Sequence, residues 1–373
     1  MERTTYLPSA PALGGGDHDD PATYARNVEN FIGTVRVPVG LAGPLAIDGG
    51  AARGTYYVPL ATTEAALVAS YSRGAGLITR AGGCTAHVLD ARMRRAPVFV
   101  FDDLRETMVA AAWVRANAER LRAAAEATSH HAKLLAVETA IEGNHLYLDC
   151  AYETGEAAGQ NMVTFATAAL CAELACNAPV QPRSYAVESN ASGDKKAAAH
   201  ALTTTRGRRV CAEVTIPAAL LEARLRVTPE MLAGYWRLGA VAAAMTGTIG
   251  MQGMYANALA AFYLATGQDV ACVAESAVGI TRLEVAHDGA LYACVTMPNV
   301  VVATVGGGTG LPTQRAAARI LARDGVSPNA DALAEIVAAV SLAGEISLTA
   351  SLCAHEFSAA HQRFARRAAG VPA

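Results

Sequence analysis

The chain has eight cysteines but lacks any CxxC pair, and thiols such as Cys171 sit inside apolar runs. That spacing argues against a zinc site or a disulfide framework. It favours reduced, buried, small hydrophobic residues in a cytoplasmic protein, and no metal is expected. The chain also lacks a basic run. Charged residues make up only 17% and the formal net charge is −3, so no nucleic-acid partner is expected. An anionic substrate stays compatible, because local Arg and Lys outweigh a small net charge. The N-terminal twenty or so residues lack an apolar h-region and read as a flexible arm (1–20) rather than a secretory signal. Neither GxGxxG nor a P-loop lysine is present, so any nucleotide binds without the two common fingerprints. No internal repeat is found.

One more absence needs a test. No charged residue occurs between Arg237 and Asp269, a length that could span a bilayer. The stretch is rich in Ala and Gly and carries Thr246, Thr248, Gln252 and Asn257. Membrane spans are more often Leu- and Ile-rich with basic flanks, so a buried core helix is expected and no membrane partner.

Hydrophobic residues make up 52% of 373, enough for two or three packed units. Local patterns predict an α+β fold. Pro/Gly turns at Val37-Pro38-Val39-Gly40 and Ala42-Gly43-Pro44-Leu45 lie among short strands. A helix is predicted from Thr62 to Gly74, with Thr62 or Thr63 as cap and Glu64 in the first turn. Residues 97–180 alternate as strand (Val98–Phe101), helix (Leu104–Ala127), strands (Lys133–Ile141, His145–Ala151) and helix (Gln160–Cys176), an order that suits a small ferredoxin-like unit. A polar break follows. Beyond it the pattern gives strands near Cys211–Ile216, Val278–Val285 and Ala290–Met297, with long Ala-rich helices, the last beginning near Ala339.

Four segments are unusually polar for their apolar settings. Glu64 at an apolar helix start is either a proton donor with a raised pKa or an exposed, dipole-satisfying carboxylate. The loop Ser189-Asn190-Ala191-Ser192-Gly193-Asp194-Lys195-Lys196 either holds an anion and stabilises an oxyanion, or is a solvated loop capping the next helix through Asp194. Asp269 in Gly267-Gln268-Asp269 is either a surface terminus or a buried acid that tunes its neighbours. His361 is either a general acid or a surface residue. The run Thr304-Val305-Gly306-Gly307-Gly308-Thr309-Gly310 offers backbone amides that can cradle phosphates.

These pieces, in this order, resemble the 3-hydroxy-3-methylglutaryl-CoA (HMG-CoA) reductase family. Glu29-Asn30-Phe31-Ile32-Gly33 resembles its dimer motif. Val37 to Leu45, Ala61-Thr62-Thr63-Glu64, Thr154 to Met162, Asp194-Lys195-Lys196, Gly267-Gln268-Asp269, Thr296-Met297-Pro298 and Thr304 to Thr309 all have counterparts, and the likeness runs from about Asn27 to Arg366. The Pro38–Leu45 form is similar to the class I branch, in a soluble bacterial-type version.

The resemblance implies a large, mostly helical domain (21–96 and 198–373) with a central helix and small sheet. A ferredoxin-like cofactor domain (97–186) interrupts it, and a cis-loop (187–197) reaches an active site shared in a homodimer, with dimers pairing into tetramers. It implies NADPH, with NADH as the alternative, and HMG-CoA or a related acyl-CoA as substrate. The catalytic roles fall on Glu64, Lys195, Asp269 and His361, with Asp269 between Glu64 and Lys195. Substrate-binding positions match Arg95, Asn190, Asp194, Lys196 and Asn257. Cofactor positions match His130, Glu156, Gly159, Asn161, Met162, Gly306, Gly307, Gly308 and Arg366. Three departures stand out. Glu188 replaces a Ser of the cis-loop, Arg237-Leu238 lacks a family Lys that holds the substrate's free carboxylate, and Met254 lies where a His is usual. They motivate the alternative of the same chemistry on another acyl thioester; a catalytically altered binding protein is the second alternative.

Overall fold

The computed structural model describes residues 20–323 and 325–354. After a short helix α1 (Pro21–Tyr24) the chain makes a hairpin, β1 (Val39–Gly49) and β2 (Arg53–Ala61), then helix α2 (Leu67–Arg80) and the long strand β3 (Cys84–Arg95). There follow β4 (Val98–Val100), α3 (Leu104–Ala116), α4 (Ala118–Glu126), β5 (Lys133–Glu142), β6 (His145–Glu153), α5 (Gln160–Asn177) and β7 (Ser184–Ala186). The rest comprises β8 (Gly207–Ile216), α6 (Ala218–Leu225), α7 (Pro229–Thr246), α8 (Tyr255–Thr266), α9 (Val273–Ser276), β9 (Ile280–Val285), β10 (Leu291–Val300), α10 (Pro312–Ile320) and α11 (Ala330–Cys353). The architecture is mixed α/β.

One 10-stranded sheet runs β7-β4-β6-β3-β8-β10-β9, with β5 on β6 and the β1–β2 hairpin on β3. It is larger than the small sheet expected. Strand β3 joins its two parts. Its first stretch pairs antiparallel with β8, and after an irregularity between Val88 and Asp90 its last residues, Met93–Arg95, also pair with β6. Arg95 therefore stands at the seam. Strands β4 to β7 form the order β7-β4-β6-β5, every pair antiparallel.

Helix α11 is the core. It is apolar over most of its surface, as a largely buried helix must be, with Glu335 and Glu345 as buried exceptions, and it packs on β8, β10, β3 and α2. It is also the one described helix apolar and long enough to cross a membrane, yet 83% of its most apolar window is buried inside the fold. Its contact with α2 is so close that a Cβ on Gly74 would meet the Ala343 carbonyl oxygen at 1.9 Å, and one on Gly344 would meet the Tyr71 ring at 2.3 Å.

Several local expectations need correction. Helix α2 starts at Leu67, not Thr62, because Ala66 takes a left-handed φ of 69° and Glu64 precedes the helix. The long helix predicted from Leu104 is broken at Asn117, whose side chain turns back to the Trp113 carbonyl. Helix α11 starts at Ala330, where Asn329 caps it through the Ala332 amide. Cys176 is exposed, not buried. The uncharged stretch is two helices. α8 is core, but the outer half of α7 is apolar and exposed, with Leu238 72% and Met245 82% accessible.

Candidate active site

The two polar segments most suggestive in sequence meet. Lys195 Nζ lies 2.8 Å from Asp269 Oδ2. Asp269 follows the left-handed Gly267 cap of α8 and itself accepts the Ala271 amide at 3.0 Å. A Cβ on Gly267 would strike the Gly308 carbonyl at 2.4 Å, so glycine is what lets the 306–308 loop press against the end of α8. Asp269's hydrogen bond raises the Lys195 pKa above its ordinary value, against partial burial. Burial pulls Asp269 up, but the Lys195 hydrogen bond and charge, with help from Ala271 and Gln160, leave it below the usual carboxylate value. Both groups hold their charge.

Lys195 is exposed and takes φ 56°, in the left-handed region that favours glycine. Its anchoring lies beneath it. The Lys195 amide donates to Glu275 Oε1 at 3.2 Å. Glu275 is 0% accessible and accepts Arg206 Nη1 at 2.6 and 2.7 Å; Arg206 is 1% accessible. Burial pushes the Glu275 carboxyl up, and Arg206 works against that. Arg206 Nη2 lies 2.8 Å from Asp194 Oδ1, out of line for a hydrogen bond, so that contact is Coulombic. Asp194 Oδ2 accepts Arg95 Nη1 at 3.1 Å, and Glu188 accepts the same nitrogen at 3.3 Å. Glu188 also receives the Asn190 amide (2.8 Å) and the Ser192 hydroxyl (2.9 Å), closing the loop on itself. Lys196 Nζ donates to the Asp194 carbonyl at 2.9 Å.

Beside this pair lies a cavity of about 590 Å³ lined by Gly159, Asn161, Met162, Asp269 and the Gly306–Gly308 loop. Six positions expected to bind cofactor thus share one cleft. Glu156 does not line it. Its carboxylate accepts the Thr304 hydroxyl (2.6 Å) and the Ala330 amide (2.9 Å), pinning the glycine loop and the start of α11. His130 is exposed in the turn between α4 and β5 and does not line it either. His361 and Arg366 lie outside the described residues.

Glu64 sits elsewhere. Its Oε2 accepts Asn257 Nδ2 at 2.7 Å, at the start of α8. At about 1.5 Å per residue, α8 carries Asn257 roughly 14 Å from the Thr266 end that leads to Asp269. Among the described residues no hydrogen bond or ion pair links Glu64 to Asp269 or Lys195. Within one chain Asp269 is therefore bonded to Lys195 and not to Glu64. The start of α8 rests on Glu345, fully buried, which accepts the Gly253 amide (3.0 and 2.9 Å), the Met254 amide (2.5 Å) and the Thr281 hydroxyl (2.8 Å). Sequence reading missed Gln160, Arg206, Glu275 and Glu345 as site-building residues. The only available signal was a charge inside an apolar run, as at Glu345 in Leu342-Ala343-Gly344-Glu345-Ile346.

The mixed α/β fold, with a lysine–carboxylate pair at the edge of a cleft, has known counterparts. The coordinates superpose on a class II HMG-CoA reductase from Streptococcus pneumoniae described as bound to NADPH in open conformations. The TM-score is 0.70 at 22% identity, covering 89% of this chain and 79% of that one. A family model described as hydroxymethylglutaryl-coenzyme A reductase matches residues 8–366. The reductase of Haloferax volcanii is 44% identical over 357 residues, 94% of this chain and 88% of that protein. That of Halobacterium salinarum is 45% identical over 360 residues, 95% and 88%. The chain belongs to the hydroxymethylglutaryl-coenzyme A reductase family.

Proposed function

We propose that the chain reduces HMG-CoA to mevalonate and CoA, a four-electron reductive deacylation consuming two NADPH. The observation that carries this is the fixed, charged Lys195–Asp269 pair at the edge of a glycine-lined cleft. The cleft suits a dinucleotide. Its volume lies within the usual ligand-pocket range of about 300–1,000 Å³. Gly306 and Gly307 have positive φ, and a Cβ on either would meet nothing within 4 Å, so bare backbone faces open space. Gly159, Asn161, Met162 and the 306–308 loop would hold NADPH, which supplies hydride when bound.

The chain's own groups do the rest. Lys195 stabilises the oxyanion formed at the thioester carbonyl, and Asp269 keeps it charged and aimed. His361 protonates the departing CoA thiolate. Glu64 gives the proton when the aldehyde is reduced. Arg95, Asn190, Asp194, Lys196 and Asn257 surround the acyl group. Residues 97–186 form the cofactor domain, ferredoxin-like in its β-α-β-β-α-β order with strands β7-β4-β6-β5. Residues 21–96 and 198–373 form the large domain, and 187–197 the cis-loop. The class I reading rests on the Pro38–Leu45 segment and on the low identity with the class II chain. We read the enzyme as soluble and cytoplasmic.

The site is shared between two copies of the chain. Supporting this are the separation of Glu64 from Lys195 along α8 and the apolar stripe Tyr235, Leu238, Val241 and Met245, too extensive to face water in a monomer. Mixing Glu64→Gln with Lys195→Ala protein, each inactive, restores about a quarter of native NADPH oxidation with HMG-CoA if sites are shared. No recovery after proven subunit exchange defeats the shared site. Native protein with no turnover defeats the reading as a whole.

A second reading keeps the chemistry and changes the acyl group. It is favoured because Arg95 is already held by Glu188 and Asp194, leaving less positive charge for a second substrate carboxylate. Glu188→Ser then improves kcat/KM for HMG-CoA about 10-fold relative to a thioester lacking that carboxylate. An unchanged ratio removes this reading.

A further inference from the structure

We propose that Gln160 is a positioning residue that ties the cofactor-side helix α5 to the Lys195–Asp269 pair and orients Asp269 for Lys195. Gln160 is the first residue of α5. It is held in place from behind, because Gly159 turns the chain with φ 78° and a Cβ there would strike the Thr154 side chain at 2.3 Å. From this point it reaches in two directions. Its amide Nε2 donates to Asp269 Oδ2 at 3.3 Å and to Cys272 Sγ at 3.1 Å. Its carbonyl oxygen accepts Arg95 Nη2 at 3.1 Å. Arg95 in turn grips Asp194, the neighbour of Lys195.

A ring results: Lys195, Asp269, Gln160, Arg95, Asp194 and back to Lys195. Gln160 supplies two of its links, and among the described residues it is the side chain of α5 that hydrogen-bonds the Lys195–Asp269 pair. The same residue lines the cofactor cleft next to Asn161 and Met162. Asp269 is fixed by three donors: Ala271 on Oδ1, and Lys195 with Gln160 on Oδ2. A carboxylate with one oxygen on the backbone and the other shared between two side chains cannot rotate without losing a bond. With the Gln160 amide removed, Oδ2 keeps Lys195 as its one remaining side-chain donor, and one of the groups that favour the ionised form of Asp269 is gone.

This rests on the reading of Lys195 as the oxyanion group. The experiment compares Gln160→Leu with Gln160→Met; both keep the backbone carbonyl, and Met keeps the length. In each, kcat with saturating NADPH and HMG-CoA falls about 10-fold, and the acid limb of the kcat–pH profile moves to higher pH. The KM for HMG-CoA and the Kd for NADPH, read by NADPH fluorescence, stay within about threefold. Two outcomes overturn the proposal: an acid limb that does not move, or a loss confined to NADPH affinity, which makes Gln160 a wall of the cleft. Lys195→Ala run alongside separates this failure from failure of the underlying reading, because a fully active Lys195→Ala removes the reading whatever Gln160 does.

Discussion

The two ends of helix α8 carry the groups proposed to react, and they are built by opposite means. At the C-terminal end Lys195 and Asp269 stand exposed on a buried ionic layer in which Arg95 and Arg206 face Glu188, Asp194 and Glu275. At the N-terminal end Glu64 and Asn257 stand over a single buried carboxylate, Glu345, whose described partners are two backbone amides and a hydroxyl, with no cation. Charge pairing holds one end and hydrogen bonding alone holds the other. In both, the group proposed to react is at the surface and buried charge lies beneath, so activity and stability should separate by layer.

Breaking the buried ionic layer has the largest effect. Arg206→Met leaves Glu275 buried and unpaired, which costs about 3–5 kcal/mol of stability. Arg206→Met with Glu275→Leu removes both charges, so the double variant is more stable than the single one. Denaturant titration checks the order; a double variant no more stable than Arg206→Met means the pair is not the unit that matters. Lys195→Ala, directly above, does the reverse. It lowers kcat about 10²–10³-fold, the cost of losing one oxyanion donor. It leaves stability nearly unchanged, because an ion pair about two-fifths exposed is worth less than about 1 kcal/mol. Steady-state kinetics and a melt on the same sample test the split.

At the other end of α8 the effect is smaller. Glu345→Gln keeps one acceptor and turns an NH₂ toward amides that themselves donate, a mismatch costing about 1–3 kcal/mol. Burial holds the Glu345 carboxyl above the usual range. A carboxyl raised in the folded state favours folding at low pH, and that contribution is lost as pH rises toward the folded value. The Gln variant has no such dependence, so its deficit relative to the native protein is larger in acid than at neutral pH. A deficit that grows toward neutral pH would contradict burial as the cause.

The same layering explains what could be read from sequence. Strand and helix order through 97–180 was legible because alternation and helical spacing are local, while the short strand β7 (Ser184–Ala186) was not read. Lys195, Asp269 and Glu64 stood out as polar residues in short, unusual strings, while Asn257 was matched only through the family resemblance. The supports did not. Arg206 and Arg208 look alike in Thr205-Arg206-Gly207-Arg208, yet Arg206 meets Glu275 of α9 while Arg208 meets Asp331 of α11, pairings across 69 and 123 residues that no local pattern announces. Helix boundaries failed where one backbone angle decided them, as at Ala66. The uncharged stretch 238–268 misled because one pattern served two environments: α8 is core, while the outer half of α7 is bare.

The last contrast is in pH. Asp269 lies below its ordinary pKa and Lys195 above its own. The Asp269 contribution to stability is present above its unfolded value and is lost as pH falls through the depressed folded value. The Lys195 contribution is full below its unfolded value and is lost as pH rises through the raised folded value. Between the two the pair stays ionised. The small stability difference between native protein and Lys195→Met should therefore be flat across neutral pH and shrink only in strong acid or strong base. Urea titrations at a series of pH values measure it, with salt as control, because an exposed pair weakens as ionic strength rises. A difference that titrates near neutrality would mean that another group shares the Lys195–Asp269 charge, and the two ends of α8 would then be electrostatically linked rather than separately built.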